Sequence, residues 1–291
     1  MSRALVNMAS TYGARAEEVE VLPIRSDLIL AYRLTAALAV MLFATSALGL
    51  MFGSSGLYTA YPAALAALMG QDVVSLVVGL PLLIGSAWLA NRGSTAALLA
   101  WTGMLFYLAY SYYFFVVGGF NALFLVYVAI VATSLYGLLS LVLAIDAATL
   151  ARRIGEGLPR RSVSIFFLAI VSLFAVMWVG LSLSTSATGD QLDPVARLVV
   201  AIDGAVLLPV LFVGAVKLWR RQPWGYVLGG FLLVKVAATG LTLAFTQALA
   251  MVWAGSVDPF EAFLFAIFGV MALVSIGLFV PYARALRAGS D

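Results

Sequence analysis

LILAYRLTAALAVMLFATSALGLMF, residues 28–52, is a run of 25 residues interrupted by a single charge, Arg33. A helix needs about 20 mostly apolar residues to cross about 30 Å of hydrocarbon, so this run is long enough to span a bilayer. Seven further stretches of the same kind lie near 73–90, 95–117, 121–144, 163–184, 198–219, 225–250 and 260–284. None has the alternation of a membrane β-strand, so the sequence predicts eight helices and an all-α polytopic membrane protein. The composition agrees: 64% of residues are apolar and 10% charged, with a mean hydropathy of +1.09. A soluble domain is about half apolar and about a quarter charged, so this chain must turn apolar surface toward lipid.

The segments between the stretches alternate in Lys and Arg. The segment before stretch 1 holds Arg3, Arg15 and Arg25. Later basic connections hold Arg92, then Arg152, Arg153, Arg160 and Arg161, then Arg220 and Arg221 beside Lys217, with Arg284 and Arg287 after stretch 8. The intervening connections have Arg197 as their one basic residue and carry Asp72, Asp190, Asp193, Asp258 and Glu261. The positive-inside rule places both termini in the cytoplasm and the protein in the inner (cytoplasmic) membrane. The net charge of +3 follows from that bias and from contact with anionic lipid, and predicts no nucleic-acid partner. Stretch 1 exceeds the 7–15 residues of a signal-peptide core and reads as a retained anchor.

Four regions follow: a cytoplasmic tail over 1–27, a four-helix unit over 28–144, a basic cytoplasmic linker over 145–162, and a second four-helix unit over 163–291. Residues 54–72 read as too polar to span, with a short helix after Pro62 lying at the outer interface. The two units carry a shared pattern. Pro81 is followed eleven residues later by Arg92, and Pro209 eleven residues later by Arg220; Leu83 and Leu211, and Ala87 and Ala215, match at the same offset. A parallel 4+4 duplication is therefore expected, with Tyr107 in the place of Lys235.

Ionisable groups at mid-membrane are the first functional candidates, because each costs at least about 2.5–3.5 kcal/mol to insert. Asp203 falls in the outer third of stretch 6. Lys235 lies ten residues into stretch 7, about 15 Å deep, which is far for an ammonium to reach water. A contact between them, direct or through water, is expected. Thr239, Thr242 and Thr246 continue the face of Lys235 and predict a polar stripe against other helices or a water-filled cavity. It is either a path for an ion or solute, or a structural pair with threonines bonded to their own helix. On stretch 3, Tyr107 and Ser111 share a face that lines the same region. Asp72, Asp258 and Glu261 are expected at the outer rim, solvated or capping helices.

The chain has no Cys and no His, which removes thiolate, Ser-His-Asp and His-ligated metal chemistry. It has no phosphate-binding loop, and no cofactor or metal is expected. A hydroxyl activated by Lys235 is the remaining nucleophile pairing, so catalysis, as in a lipid-modifying enzyme, is the least supported class. The run Trp219-Arg-Arg-Gln-Pro-Trp-Gly-Tyr226, continuing to Lys235, resembles a pattern in prokaryotic multi-spanning membrane proteins of unassigned activity, as does Pro81 to Ser94. That resemblance implies a fold and no activity. The Lys on stretch 7 is similar in depth to that of microbial rhodopsins, but the Asp found one turn earlier there is Phe231 here.

The leading expectation is a transporter or channel for an ion or small solute, lined by Lys235, Asp203, Thr239, Thr242, Thr246, Tyr107 and Ser111. The alternative is a non-catalytic sensor, assembly or accessory subunit that contacts a protein partner and uses the pair for specificity.

Overall fold

The computed structural model describes residues 22–58, 65–154, 157–192 and 194–288. Among them are eight helices long and apolar enough to cross a membrane: spans 1 to 8 are Ile29–Leu57, Leu65–Asn91, Thr95–Val117, Phe124–Ala144, Arg160–Thr188, Ala196–Trp219, Pro223–Ala254 and Pro259–Leu286. The protein is an all-helical, multi-pass membrane protein. Arg3 and Arg15 of the tail lie outside the described residues.

Neighbouring spans run antiparallel, which gathers the basic residues at one end. There the Tyr32 hydroxyl of span 1 donates to the Ala87 carbonyl of span 2 at 3.3 Å, and Trp101 Nε1 of span 3 donates to Thr35 at 2.9 Å. The Tyr282 hydroxyl of span 8 reaches the Tyr226 carbonyl of span 7 at the same end. The segment before span 1 is clamped here too. Arg25 N–H donates to the Ala144 carbonyl and Asp146 N–H to the Pro23 carbonyl, both at 2.7 Å, and Arg25 pairs with Asp146 at 3.1 Å. Asp146 also caps the short helix Ala147–Arg152 through the amides of Ala148 and Thr149. These bonds satisfy backbone groups that the end of span 4 would otherwise leave open.

Spans 3 and 7 form the centre. In span 7, 72% of the most apolar window is buried, against 61% in span 3 and 11% in span 8, which leans on span 7 at the periphery. Spans 3 and 7 meet at Gly103, where a Cβ would overlap the Phe231 carbonyl oxygen and lie 2.8 Å from Val234 Cβ. Hydrocarbon offers little hydrophobic drive between helices, so close backbone approach through small residues supplies the packing.

Span 2 differs from the sequence reading. It begins at Leu65, so residues 65–72 belong to the span and form no interfacial helix; residues 59–64 lie outside the described ones. Gln71 and Asp72 made the segment look too polar, but both are buried and bonded to neighbouring spans. Span 2 then widens into a π turn, Ser75–Gly79, before the helix Leu80–Asn91. Span 6 does the same through Asp203–Leu207 before Leu208–Trp219. The cause lies in Pro81 and Pro209, each the second residue of its following helix. A proline has no N–H to give the carbonyl four residues back, and the amide just before it bonds five back instead, Leu80 to Ser75 and Leu208 to Asp203. Each helix then ends in a left-handed residue one place after its C-cap, Gly93 at φ 96° and Arg221 at φ 56°.

Candidate functional site

Lys235 lies twelve residues after the start of span 7 at Pro223, about 18 Å along the helix at 1.5 Å per residue. It is 1% exposed and Asp203 is 4% exposed. The two do not touch: the single ion pair among the described residues is Arg25–Asp146. Lys235 and Asp203 both meet Tyr110 of span 3. Lys235 Nζ sits over the Tyr110 ring at 3.8 Å from its centre and lies 5.8 Å from that of Phe106. The Tyr110 hydroxyl donates to Asp203 Oδ1 at 2.7 Å, and Trp178 Nε1 of span 5 donates to Oδ2 at 3.1 Å.

Asp203 thus accepts a bond on each oxygen, the pattern of a carboxylate, while Lys235 rests over the face of the same ring whose hydroxyl Asp203 accepts. Of the contact expected between them, direct or through water, the direct form is absent among the described residues, and an ammonium–ring–hydroxyl–carboxylate series links spans 7, 3 and 6. In so buried a medium the attraction between opposite charges is large. A change of protonation or a swing of the Tyr110 ring would alter that attraction sharply.

The rest of the stripe faces neighbouring helices. Thr242 shares a 2.7 Å hydrogen bond with Tyr107, which also receives Gln71 Nε2 at 2.8 Å; Gln71 Nε2 reaches Ser75 at 3.1 Å. Thr242 donates back to the Ala238 carbonyl and Thr246 to that of Leu243. Thr246 packs on Gly70 of span 2. Thr239 is buried with no partner for its hydroxyl among the described residues, and Ser111 is buried beside Tyr107. The structure therefore gathers Lys235 and Asp203 through one residue and Thr242, Tyr107 and Ser111 into an adjoining polar group. Thr246 stands apart, nearer the opposite end.

Tyr110, Trp178 and Gln71 complete the site and were not among the candidates. Tyr110 stood in the aromatic run of stretch 3, where its spacing from Tyr107 gave no sign of which faced an acid. Asp72 is a clear correction. It is no rim residue but 1% exposed, and it accepts the Tyr58 hydroxyl at 2.7 Å. Asp258 does cap a helix, accepting from the amides of Phe260 and Glu261.

An apolar groove of about 630 Å³ runs between spans 5 and 6, lined by Val171, Trp178, Val200, Gly204, Pro209 and Phe212 among others. Trp178 belongs to both the groove wall and the Asp203 site. Among the described residues, no three His, Cys, Asp or Glu side chains gather as metal ligands. No family model, curated protein or solved structure matches this chain.

Proposed function

We propose that the protein is a membrane transporter for a small ion or solute, with the Lys235–Tyr110–Asp203 series as its charge-bearing centre. The carrying observation is that Lys235 and Asp203 both meet Tyr110, one on its ring face and one on its hydroxyl, without pairing directly among the described residues. A pair retained for packing specificity gains most in direct contact, with every polar atom bonded. Here the ammonium rests on ring faces and the acid is bonded to a phenol and an indole. Both charges are thereby kept available for a proton or a charged substrate. The π turn opening at Asp203 supports the same reading, since such turns mark functional positions and break the regular helix where a hinge would act.

The basic end faces the cytoplasm, N-in and C-in, in the inner membrane. The two four-helix units arise from a duplication: the π turns Ser75–Gly79 and Asp203–Leu207, the prolines, the left-handed residues Gly93 and Arg221, and Tyr107 and Lys235 all lie 128 residues apart. On that register the neutral Ser75 and Tyr107 of the first unit stand where the second holds the charged Asp203 and Lys235. The resemblance of the 219–235 segment to prokaryotic multi-spanning proteins belongs to the same reading.

The test is a thermal-stability ligand screen on wild type, Lys235→Met, Asp203→Asn and the double variant. A ligand that stabilises wild type but not a folded Lys235→Met variant supports the centre and directs the liposome flux assay. If no ligand acts, both single variants are strongly destabilised and the double recovers, the pair is structural and the accessory-subunit alternative takes its place. The absence of Cys makes single-Cys labelling at Asp190 and Arg153 a clean check of orientation.

A further inference from the structure

We propose that Asp72 and the hydroxyls packed around it form a binding site for a monovalent, sodium-class cation. The site lies in the first four-helix unit, away from Lys235, and does not depend on the transport reading.

Asp72 stands seven residues into span 2 and is 1% exposed. Its Oδ2 accepts the Tyr58 hydroxyl at 2.7 Å, but its Oδ1 is buried without a hydrogen-bond partner among the described residues. The Tyr127 hydroxyl of span 4 is likewise buried and unpartnered. Tyr127 and Tyr112 both lie within Coulombic range of Asp72, and Tyr112 is hydrogen-bonded to Ser46 of span 1 at 3.0 Å. No Lys or Arg acts on the carboxyl among the described residues. Span 1 is notched to make room. A Cβ on Gly49 would overlap both Asp72 Oδ2 and the Tyr58 hydroxyl.

A buried ionised acid with an orphaned oxygen is costly unless a proton or another cation joins it. The polar groups around this one carry oxygen, from phenols and a serine beside its own carboxylate, which suits hard cations and disfavours transition metals. One carboxylate supplies one charge, so a monovalent ion leaves the buried site neutral where a divalent ion would leave an excess. A crevice of about 440 Å³ between the far ends of spans 1 and 4 is lined by Leu48, Phe52, Gly56, Leu57, Asn121 and Leu123. Leu57 adjoins Tyr58, and Asn121 lies near the Tyr127 hydroxyl without bonding it.

The experiment measures Tm of the full-length protein in detergent at constant ionic strength while sodium replaces choline. Sodium is expected to raise Tm by several degrees, saturably, in wild type and in Lys235→Met, and not in Asp72→Asn. Tyr127→Phe removes a hydroxyl with no partner, so it should fold as wild type and need roughly tenfold more sodium for half the effect. Equal Tm in sodium and choline overturns the proposal, as does a full sodium response in Asp72→Asn. If Asp72→Asn does not fold, an unchanged half-saturation in Tyr127→Phe overturns it. A Tm that responds to acidification alone marks a protonated carboxyl and overturns it too. Because the readout is binding, a failure here leaves the Lys235 ligand screen untouched, and the reverse.

Discussion

Tyr110 serves two charges with two different parts of one side chain, and substitutions separate them. Tyr110→Phe keeps the ring under Lys235 Nζ, 3.8 Å from its centre, and deletes the hydroxyl that bonds Asp203 at 2.7 Å. A neutral hydrogen bond between membrane helices is worth about 0.6 kcal/mol on average. One to an ionised acceptor is worth about 1.5–3 kcal/mol. Asp203 accepts on both oxygens, so the larger range applies, and Trp178 remains to hold the other oxygen. Tyr110→Leu also removes the ring, adding about 2 kcal/mol for a desolvated cation–π contact. The expected order of stability is wild type, then Phe, then Leu, with steps of similar size. Unfolding is followed in mixed micelles as denaturing detergent is titrated, with Asp203→Asn as the second arm of a double-mutant cycle. A Phe variant within about 0.6 kcal/mol of wild type would show that Asp203 is not held as a carboxylate by Tyr110. Equal cost for Phe and Leu would show that the ring does nothing for Lys235.

Three further outcomes are expected. Gly103→Ala places a Cβ into the Phe231 carbonyl and against Val234, so it should cost about 1–3 kcal/mol by forcing spans 3 and 7 apart; the same denaturation assay reads it. Tyr107→Phe and Thr242→Val should couple by about 0.6 kcal/mol in a double-mutant cycle, since they remove one shared neutral bond of 2.7 Å. At the basic end, the Thr149 hydroxyl and amide, and then Arg25, hold the Asp146 carboxyl down to about 2 from an ordinary 3.8. A lowered folded value means the clamp contributes fully above about pH 4 and loses its contribution as pH falls toward 2. The Tm gap between wild type and Asp146→Asn should therefore be constant at higher pH and close over that acidic window; a gap unchanged to pH 2 would refute the assignment.

The eight spans were legible because lipid imposes one simple demand, a long run of apolar residues, and stretches 28–52 and 95–117 meet it without ambiguity. Lys235 and Asp203 were legible for the complementary reason, as charges standing where charge is costly. The start of span 2 was not, because Gln71 and Asp72 read as surface residues until their partners are known, and those partners come from spans 1 and 3. The same holds for Tyr110. A run of tyrosines on one stretch carries no information about which ring meets a cation on span 7 and an acid on span 6, since that depends on how three helices are rotated against one another. The π turns had a sign in Pro81 and Pro209, but a proline predicts a kink more readily than the wider turn that absorbs its missing N–H.

Charge movement in proteoliposomes adsorbed on a sensor electrode is the measurement to make on the Lys235–Tyr110–Asp203 series. A jump in pH or in candidate solute should give a transient current in wild type that is lost in folded Lys235→Met and Asp203→Asn, slowed in Tyr110→Phe, and intact in Asp146→Asn. A current of wild-type size in a folded Lys235→Met variant would contradict the assignment of these residues as the charge-bearing centre.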